Sequence, residues 1–231
     1  MRQGAACWQQ AMRGLMGLLV AVCVCGVGSV AQADDFADGA AFFRNGQYEQ
    51  AFSAYLRAAK AGHAGAQNNV GSLYAEGVGV AKDEKEAMVW FGKAASQGFV
   101  LAQRNMGKAY HEGRGVSRDE VKALSWFRKA AEQGDPVSQY MMGLLLARGD
   151  GVKRDYAQSR TWLTKAAEKG NVDAMYSLGM LCETGLGKPQ DVDEALGWYA
   201  KAAARGHKQA VVRMDALKAG GRAAALKPVK E

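Results

Sequence analysis

Proline is scarce in this chain: Pro136, Pro189 and Pro228 are the only ones in 231 residues. Collagen needs abundant proline as well as glycine, so the 29 glycines do not describe a fibre. A disordered Pro/Gly-rich chain is excluded too, because 48% of the residues are hydrophobic, enough to bury a core. Cysteine is also rare, and Cys7, Cys23 and Cys25 crowd the N-terminus, which leaves Cys182 alone. No disulfide framework can be drawn within the body of such a chain.

What is present begins with a leader. Arg2 and Arg13 form a basic start, Gly14 to Val30 carries no charge, and Ala31-Gln32-Ala33 is an A-x-A cleavage site before Asp34-Asp35. The pattern predicts a signal peptide over 1–33. Cys23 and Cys25 follow valines, which does not suit lipoprotein processing. The alternative is the same span retained as an anchor. Cleavage places the mature protein in the periplasm or outside the cell, with no membrane insertion afterwards, and leaves Cys182 without an intramolecular partner. The formal charge of +7 loses two units with the leader and two more with the last thirteen residues. A basic excess held in a leader and a tail is no nucleic-acid footprint.

Between those ends the chain repeats itself every 36 residues. Trp90, Trp126, Trp162 and Trp198 keep that step, as do Gly71, Gly107, Gly143 and Gly179, and Asp83, Asp119, Asp155 and Asp191. So do the loop pairs Gly77/Gly79, Gly113/Gly115, Gly149/Gly151 and Gly185/Gly187, and the single Gly98, Gly134, Gly170 and Gly206. The units are 64–99, 100–135, 136–171 and 172–207. Each reads as two helices. In the first, Ala66, Val70, Leu73 and Tyr74 form a helical stripe that stops at Gly77. The second opens on Asp83, whose carboxylate can cap free N–H groups. Asp83 with Glu86, Asp155 with Gln158 and Asp191 with Glu194 also match a reciprocal capping box, whereas Asp119 faces Lys122 and does not. Gly98 supplies a left-handed end. The Gly71 column costs about 1 kcal/mol relative to alanine, so it predicts close helix–helix approach.

Residues 34–63 read as a degenerate helix pair with Ala54 in the tryptophan column. Residues 208–218 read as a capping helix, with Asp215 in place of the mid-helix glycine, and 219–231 as a flexible basic tail.

The frame Ala-x-x-x-Val/Met/Leu-Gly-x-x-Tyr, then Gly-x-Gly-Val-x-x-Asp, then Ala-x-x-Trp-Phe-x-Lys-Ala-Ala-x-x-Gly resembles the Sel1-like repeat family, a subclass of the tetratricopeptide-type α-solenoids. The resemblance implies an all-α, right-handed solenoid of helix-turn-helix repeats acting as a non-catalytic binding scaffold, often in the bacterial envelope. It names no ligand. Some cysteine-rich relatives have been linked to β-lactam binding and staple each repeat with a disulfide. This chain has no Ser-x-x-Lys or Lys-Thr-Gly motif and lacks the cysteines for such staples.

Other chemistry is thinly supported. The Gly-x-Gly loops lack the third glycine and the preceding strand of a dinucleotide fingerprint. His63 and His207 share a column with Phe99, Asp135 and Asn171. His111-Glu112 lacks the second histidine of a zinc helix. No catalytic residue, metal ligand or cofactor is expected. Cys182 sits in the column of Tyr74, Tyr110 and Leu146, the position of a buried thiol. The tryptophan column reads as packing. Glu76, Glu112 and Glu183, near helix ends, read as solvated.

Specificity in a repeat protein belongs to the columns that vary. If the first helices line the concave face, one such column is Asn68, Arg104, Tyr140 and Tyr176, and the next, one turn on, is Ser72, Lys108, Leu144 and Met180. A third is Gly65, Leu101, Val137 and Asp173. The expected partner-binding face is therefore Asn68, Arg104, Lys108, Tyr140, Leu144, Tyr176 and Met180. It would suit a protein or extended peptide with an acidic group and an apolar anchor, bound by a monomeric scaffold without enzymatic activity. Packing of Leu144 and Met180 against a neighbouring helix is the alternative for those two. For the whole chain the alternative is a cell-wall or polysaccharide-associated binder or enzyme, weakened by the absence of a converging carboxylate pair.

Overall fold

The computed structural model describes residues 34–225; the expected signal at 1–33 and the end of the tail, 226–231, lie outside the described residues. Among the described residues all regular structure is α-helical. Helix α1 covers 34–44. It is followed by α2 (Tyr48–Lys60), α3 (Ala64–Glu76), α4 (Glu84–Ser96), α5 (Val100–Glu112) and α6 (Glu120–Glu132). Then come α7 (Pro136–Arg148), α8 (Tyr156–Glu168), α9 (Val172–Thr184), α10 (Val192–Ala203) and α11 (Lys208–Ala225). They fall into two compact units, 34–99 and 100–225.

In the first unit α3 packs against both α2 and α4. Its core joins Tyr55, Ala58, Val70, Leu73 and Trp90. In the second unit each helix from α5 to α11 packs on the next in the chain. Phe127, Met142, Leu145 and Leu146 form one buried cluster, and Leu163, Leu178, Cys182 and Tyr199 another. Complete burial of a side chain such as Phe127 stabilises the fold by about 2–3 kcal/mol.

The mid-helix glycines permit this packing. A Cβ on Gly71 would sit 2.7 Å from the Phe91 ring, and one on Gly179 would sit 2.5 Å from Tyr199. Gly107 and Gly143 meet Phe127 and Leu163 in the same way. The second loop glycine has a further role. Gly79, at φ +67°, lies on the backbone of Tyr48, while Gly151 and Gly187 lie on the backbones of Glu120 and Tyr156. A loop thus rests on the first turn of the preceding repeat's second helix. Only glycine fits such an approach.

Capping differs from the expected box. Asp83 accepts from the N–H groups of Lys85 and Glu86, both at 3.0 Å, as the sequence predicts. Its own backbone N–H, which a box would give to Glu86, donates instead to the Tyr74 carbonyl at 2.9 Å. Asp119, Asp155 and Asp191 repeat this bond to Tyr110, Leu146 and Cys182. Each aspartate therefore ties the end of one helix to the start of the next. Asp119 caps as the others do, accepting from Lys122 N–H at 2.9 Å, so the missing acidic partner costs it nothing.

Two further differences concern the ends. The last helix continues to Ala225, past the boundary expected at 218–219. In the N-terminal pair the loop is four residues shorter than in the other repeats, so α1 positions precede their α3 equivalents by 32 residues rather than 36. Gly39 then becomes another mid-helix glycine, and its Cβ would meet Tyr55 at 2.6 Å.

Candidate functional site

The three variable columns form a grid on the first helices of the second unit. Leu101, Arg104 and Lys108 follow one another at i, i+3 and i+7 on α5. Val137, Tyr140 and Leu144 do so on α7, and Asp173, Tyr176 and Met180 on α9. The middle row is committed to the fold. Arg104 Nη1 lies 3.1 Å from Asp135 Oδ1, and Asp135, only 8% exposed, also accepts from the N–H and hydroxyl of Ser138. Tyr140 is half-buried with its hydroxyl bonded to Ser177, and burial pushes its pKa up. Tyr176 stacks on His207 with ring centroids 4.4 Å apart.

The outer rows are different. Leu101 and Val137 are 41% and 40% exposed, and Met180 is 41% exposed. Lys108 is exposed, with Glu112 4.0 Å away on the next turn. Leu144 is half-buried. Asn68, in the first unit, is a correction: it is 6% exposed, buried among the α3 core residues rather than presented to a partner. So the structure leaves Lys108, Leu144 and Met180 on an accessible face. Leu101 and Val137, noted in the sequence only as a third column, join them.

The reason is a rule that the sequence columns did not reveal. The residue after each C-terminal glycine is the N-cap of the next first helix. His63 Nδ1 accepts from Ala66 N–H at 3.0 Å, Asn171 from Ala174 at 2.8 Å and His207 from Ala210 at 3.2 Å. In three repeats the middle-row residue reaches the N-cap of the next: Arg104 to Asp135, Tyr176 to His207 and, allowing for the short loop, Phe36 to His63 at 4.3 Å.

A glutamine column was missed as well. Gln67 and Gln139 are buried and donate to the carbonyls of Ala59 and Ala131, each at 3.1 Å. These bonds satisfy backbone acceptors at the end of the preceding helix. The signal was in the sequence, as Gln67, Gln103 and Gln139 at the repeat period.

The other candidate groups also have structural partners. Each tryptophan of the repeat column lies under a lysine one turn on: Lys93, Lys129, Lys165 and Lys201 sit 3.8–4.4 Å from the ring centroids. That covers a ring face a sugar would need. Cys182 is fully buried, with Arg160 Nη1 3.3 Å from its sulfur, and burial pushes its pKa up. Such a thiol is poorly nucleophilic. His111 pairs with Glu120 at 2.8 Å, not with Glu112. Burial raises the Glu120 pKa, but His111 and Arg118 outweigh it and hold the carboxyl below its ordinary value. Glu183 is not merely solvated. It accepts from the Tyr199 hydroxyl at 2.6 Å and from Arg213 at 2.6 and 3.2 Å. Among the described residues no group of His, Cys, Asp and Glu is arranged to hold a metal ion, and no helix is long and apolar enough to cross a membrane.

The Sel1 repeat family model matches residues 64–99, 100–135, 136–171 and 172–207, the same four units that the glycine and tryptophan columns mark. The chain belongs to the Sel1 repeat family. Its fold is thus the right-handed α-solenoid class, with the 36-residue period of its repeats. The chain is similar to a Sel1 repeat protein from Oxalobacter formigenes, with 37% identity and a TM-score of 0.75 over 81% of this chain and 76% of that one. It is also similar to c5321, a protective antigen of uropathogenic Escherichia coli with this repeat fold. There the identity is 34% and the TM-score 0.55, over 80% of this chain and 48% of that one. No curated protein matches this Sel1 chain. Sel1 repeat proteins commonly serve as protein–protein interaction scaffolds and are generally non-catalytic.

Proposed function

We propose that this Sel1 repeat protein is an exported, non-catalytic scaffold that binds another protein or an extended peptide through the first-helix face of residues 100–225. The observation that carries the reading is the exposure of Leu101, Val137 and Met180 beside the Lys108 cation. Five of the grid's nine side chains, these four and Asp173, therefore stand in solvent on a helical base. Apolar side chains in that setting supply anchors, and Lys108 supplies a charge-assisted bond to an acidic group. The base is already ordered, so little conformational entropy is lost on binding.

Capture of partners by in-cell crosslinking and mass spectrometry tests the reading. A Lys108→Glu/Val137→Glu/Met180→Glu variant should lose the captured partner while its helicity matches that of the parent. Equal capture by both removes the face from consideration. Export is supported by Arg2, Arg13, the uncharged span Gly14 to Val30 and Ala31-Gln32-Ala33. A mature N-terminus at Asp34, found in the periplasmic or extracellular fraction, is the expected result. A chain retaining Met1 in the cytoplasm would overturn export.

A further inference from the structure

The first unit contains a cavity of about 260 Å³ with apolar walls of Phe43, Tyr55, Leu73 and Val78. The repeat does not require this opening. At the matching place in the second unit, Glu183 and Arg213 close over the Tyr199 hydroxyl. An unfilled space forfeits the contacts that its lining would otherwise make. An engineered apolar cavity of about 150 Å³ accepts benzene, and drug-sized sites begin near 300 Å³. The space therefore suits one bulky side chain and its attached backbone.

The polar groups at the cavity are balanced. The Tyr55 hydroxyl accepts from the Asn69 amide and so keeps its own proton to donate. The Ser72 hydroxyl gives its proton to the Asn68 carbonyl at 3.1 Å, which leaves its lone pairs to accept. Charge is balanced as well: Arg44, near enough to act on the Tyr55 hydroxyl, and Glu76 have opposite signs. An ion of either sign would meet one of them as a like charge. A donor and an acceptor beside an apolar space match a peptide unit, which carries one C=O and one N–H. The apolar surface also continues past the cavity, where Phe43 and Tyr48, 43% and 41% exposed, meet edge to face at 5.3 Å. This shelf would cover a second residue.

We propose that this cavity binds a bulky apolar side chain from the interior of an extended peptide, independently of the peptide's termini. The side chain enters between Tyr55, Leu73 and Val78. The Tyr55 hydroxyl donates to a backbone carbonyl, Ser72 Oγ accepts from a backbone N–H, and a flanking residue lies on Phe43 and Tyr48. The site is built wholly from residues 34–99 and does not depend on the face proposed above.

Calorimetry on the full chain tests it with Ala-Ala-Phe-Ala-Ala, acetylated at one end and amidated at the other. The comparisons are the same blocked peptide with alanine at its centre, the unblocked peptide, and toluene. The blocked peptide should bind as well as the unblocked one, and central alanine should weaken it about tenfold or more. Tyr55→Phe keeps the ring and should weaken the blocked peptide roughly two- to tenfold while leaving toluene unaffected. Ser72→Leu, which fills the cavity, should abolish binding with helicity unchanged, since leucine already stands in that column at Leu144. Equal binding of the phenylalanine and alanine peptides, no effect of Ser72→Leu, or no heat at millimolar peptide would each overturn the site. Toluene binding as tightly as the peptide, or no effect of Tyr55→Phe, would overturn the peptide assignment and make a small aromatic the ligand. Much tighter binding of the unblocked peptide would overturn the recognition of an interior residue in favour of a charged terminus.

Discussion

Tyr55 and Tyr199 hold the same place in the repeat, and their surroundings have opposite outcomes. Both rings pack on a mid-helix glycine, Gly39 in one case and Gly179 in the other. Around Tyr55 the neighbouring columns supply Phe43 and Asn69, and a cavity remains. Around Tyr199 the same columns supply Glu183 and Arg213. The Tyr199 hydroxyl donates to Glu183 at 2.6 Å, while Arg213 grips both oxygens of that carboxylate. One end of the repeat array is left open and the other is sealed by an ion pair across α9 and α11. The backbone frame is common to both, so the difference lies in two side-chain choices. An aromatic and a short amide leave space where a charged pair fills it.

The largest test of that contrast removes the rings. Tyr199 is fully buried, so Tyr199→Ala should destabilise its unit by about 3–5 kcal/mol. Tyr55 borders a space already open to solvent, and Tyr55→Ala should fall at or below the low end of that range. Hydrogen exchange, read separately over 34–99 and 100–225, gives both values. A larger loss at Tyr55 would break the comparison. Removal of the seal alone is milder. Arg213→Ala leaves Glu183 with Tyr199 only, and because Arg213 is half in solvent the loss should be about 1–2 kcal/mol. Amides of α11 should then exchange roughly 5–30 times faster while those of α3 do not change. Uniform acceleration in both units would show that Arg213 does not act as a local seal.

The repeats, the helix pairs, the aspartate caps and the close-approach glycines were legible because each is a fixed column with one physical job. Gly71 against Phe91 and Asp83 over Lys85 and Glu86 need only local spacing to be read. The face was less legible. Arg104 and Tyr176 varied as binding residues should, yet each is held by the next N-cap, Asp135 or His207. Contacts between adjacent repeats join positions 31 residues apart, which a search down single columns does not pair. Gln67 and Gln139 were hidden for another reason: a buried amide bonded to a carbonyl looks in sequence like an ordinary surface glutamine. The cavity depends on Phe43, which lies outside the 36-residue register because its loop is short.

Acid should act on the sealed end through Glu194. Lys188 is its main partner, and with the Trp198 N–H and Arg160 it holds the carboxyl, against the opposing effect of burial, at about 2 instead of 4.5. A depressed folded-state pKa means that the stabilisation is complete above the unfolded value of 4.5 and is lost as pH falls through about 2. Stability of 100–225 should therefore decline across that window, and Glu194→Gln should flatten that part of the profile. An unchanged slope in the variant would assign the acid response to other carboxylates.

The smallest effect separates the two roles of the terminal histidines. His63 and His207 each cap a helix and each carry a ring stack, on Phe36 and Tyr176. Asparagine already caps α9 from the same column, at Asn171, so His63→Asn and His207→Asn should keep the cap and lose the stack. The expected loss is about 0.5–1 kcal/mol at each site. Alanine removes both functions and should cost roughly a further 1 kcal/mol. If His207→Asn proves costlier than His63→Asn, the stack on Tyr176 is the stronger of the two. The sealed end would then hold its last helix by ring contact as well as by the Glu183–Arg213 pair.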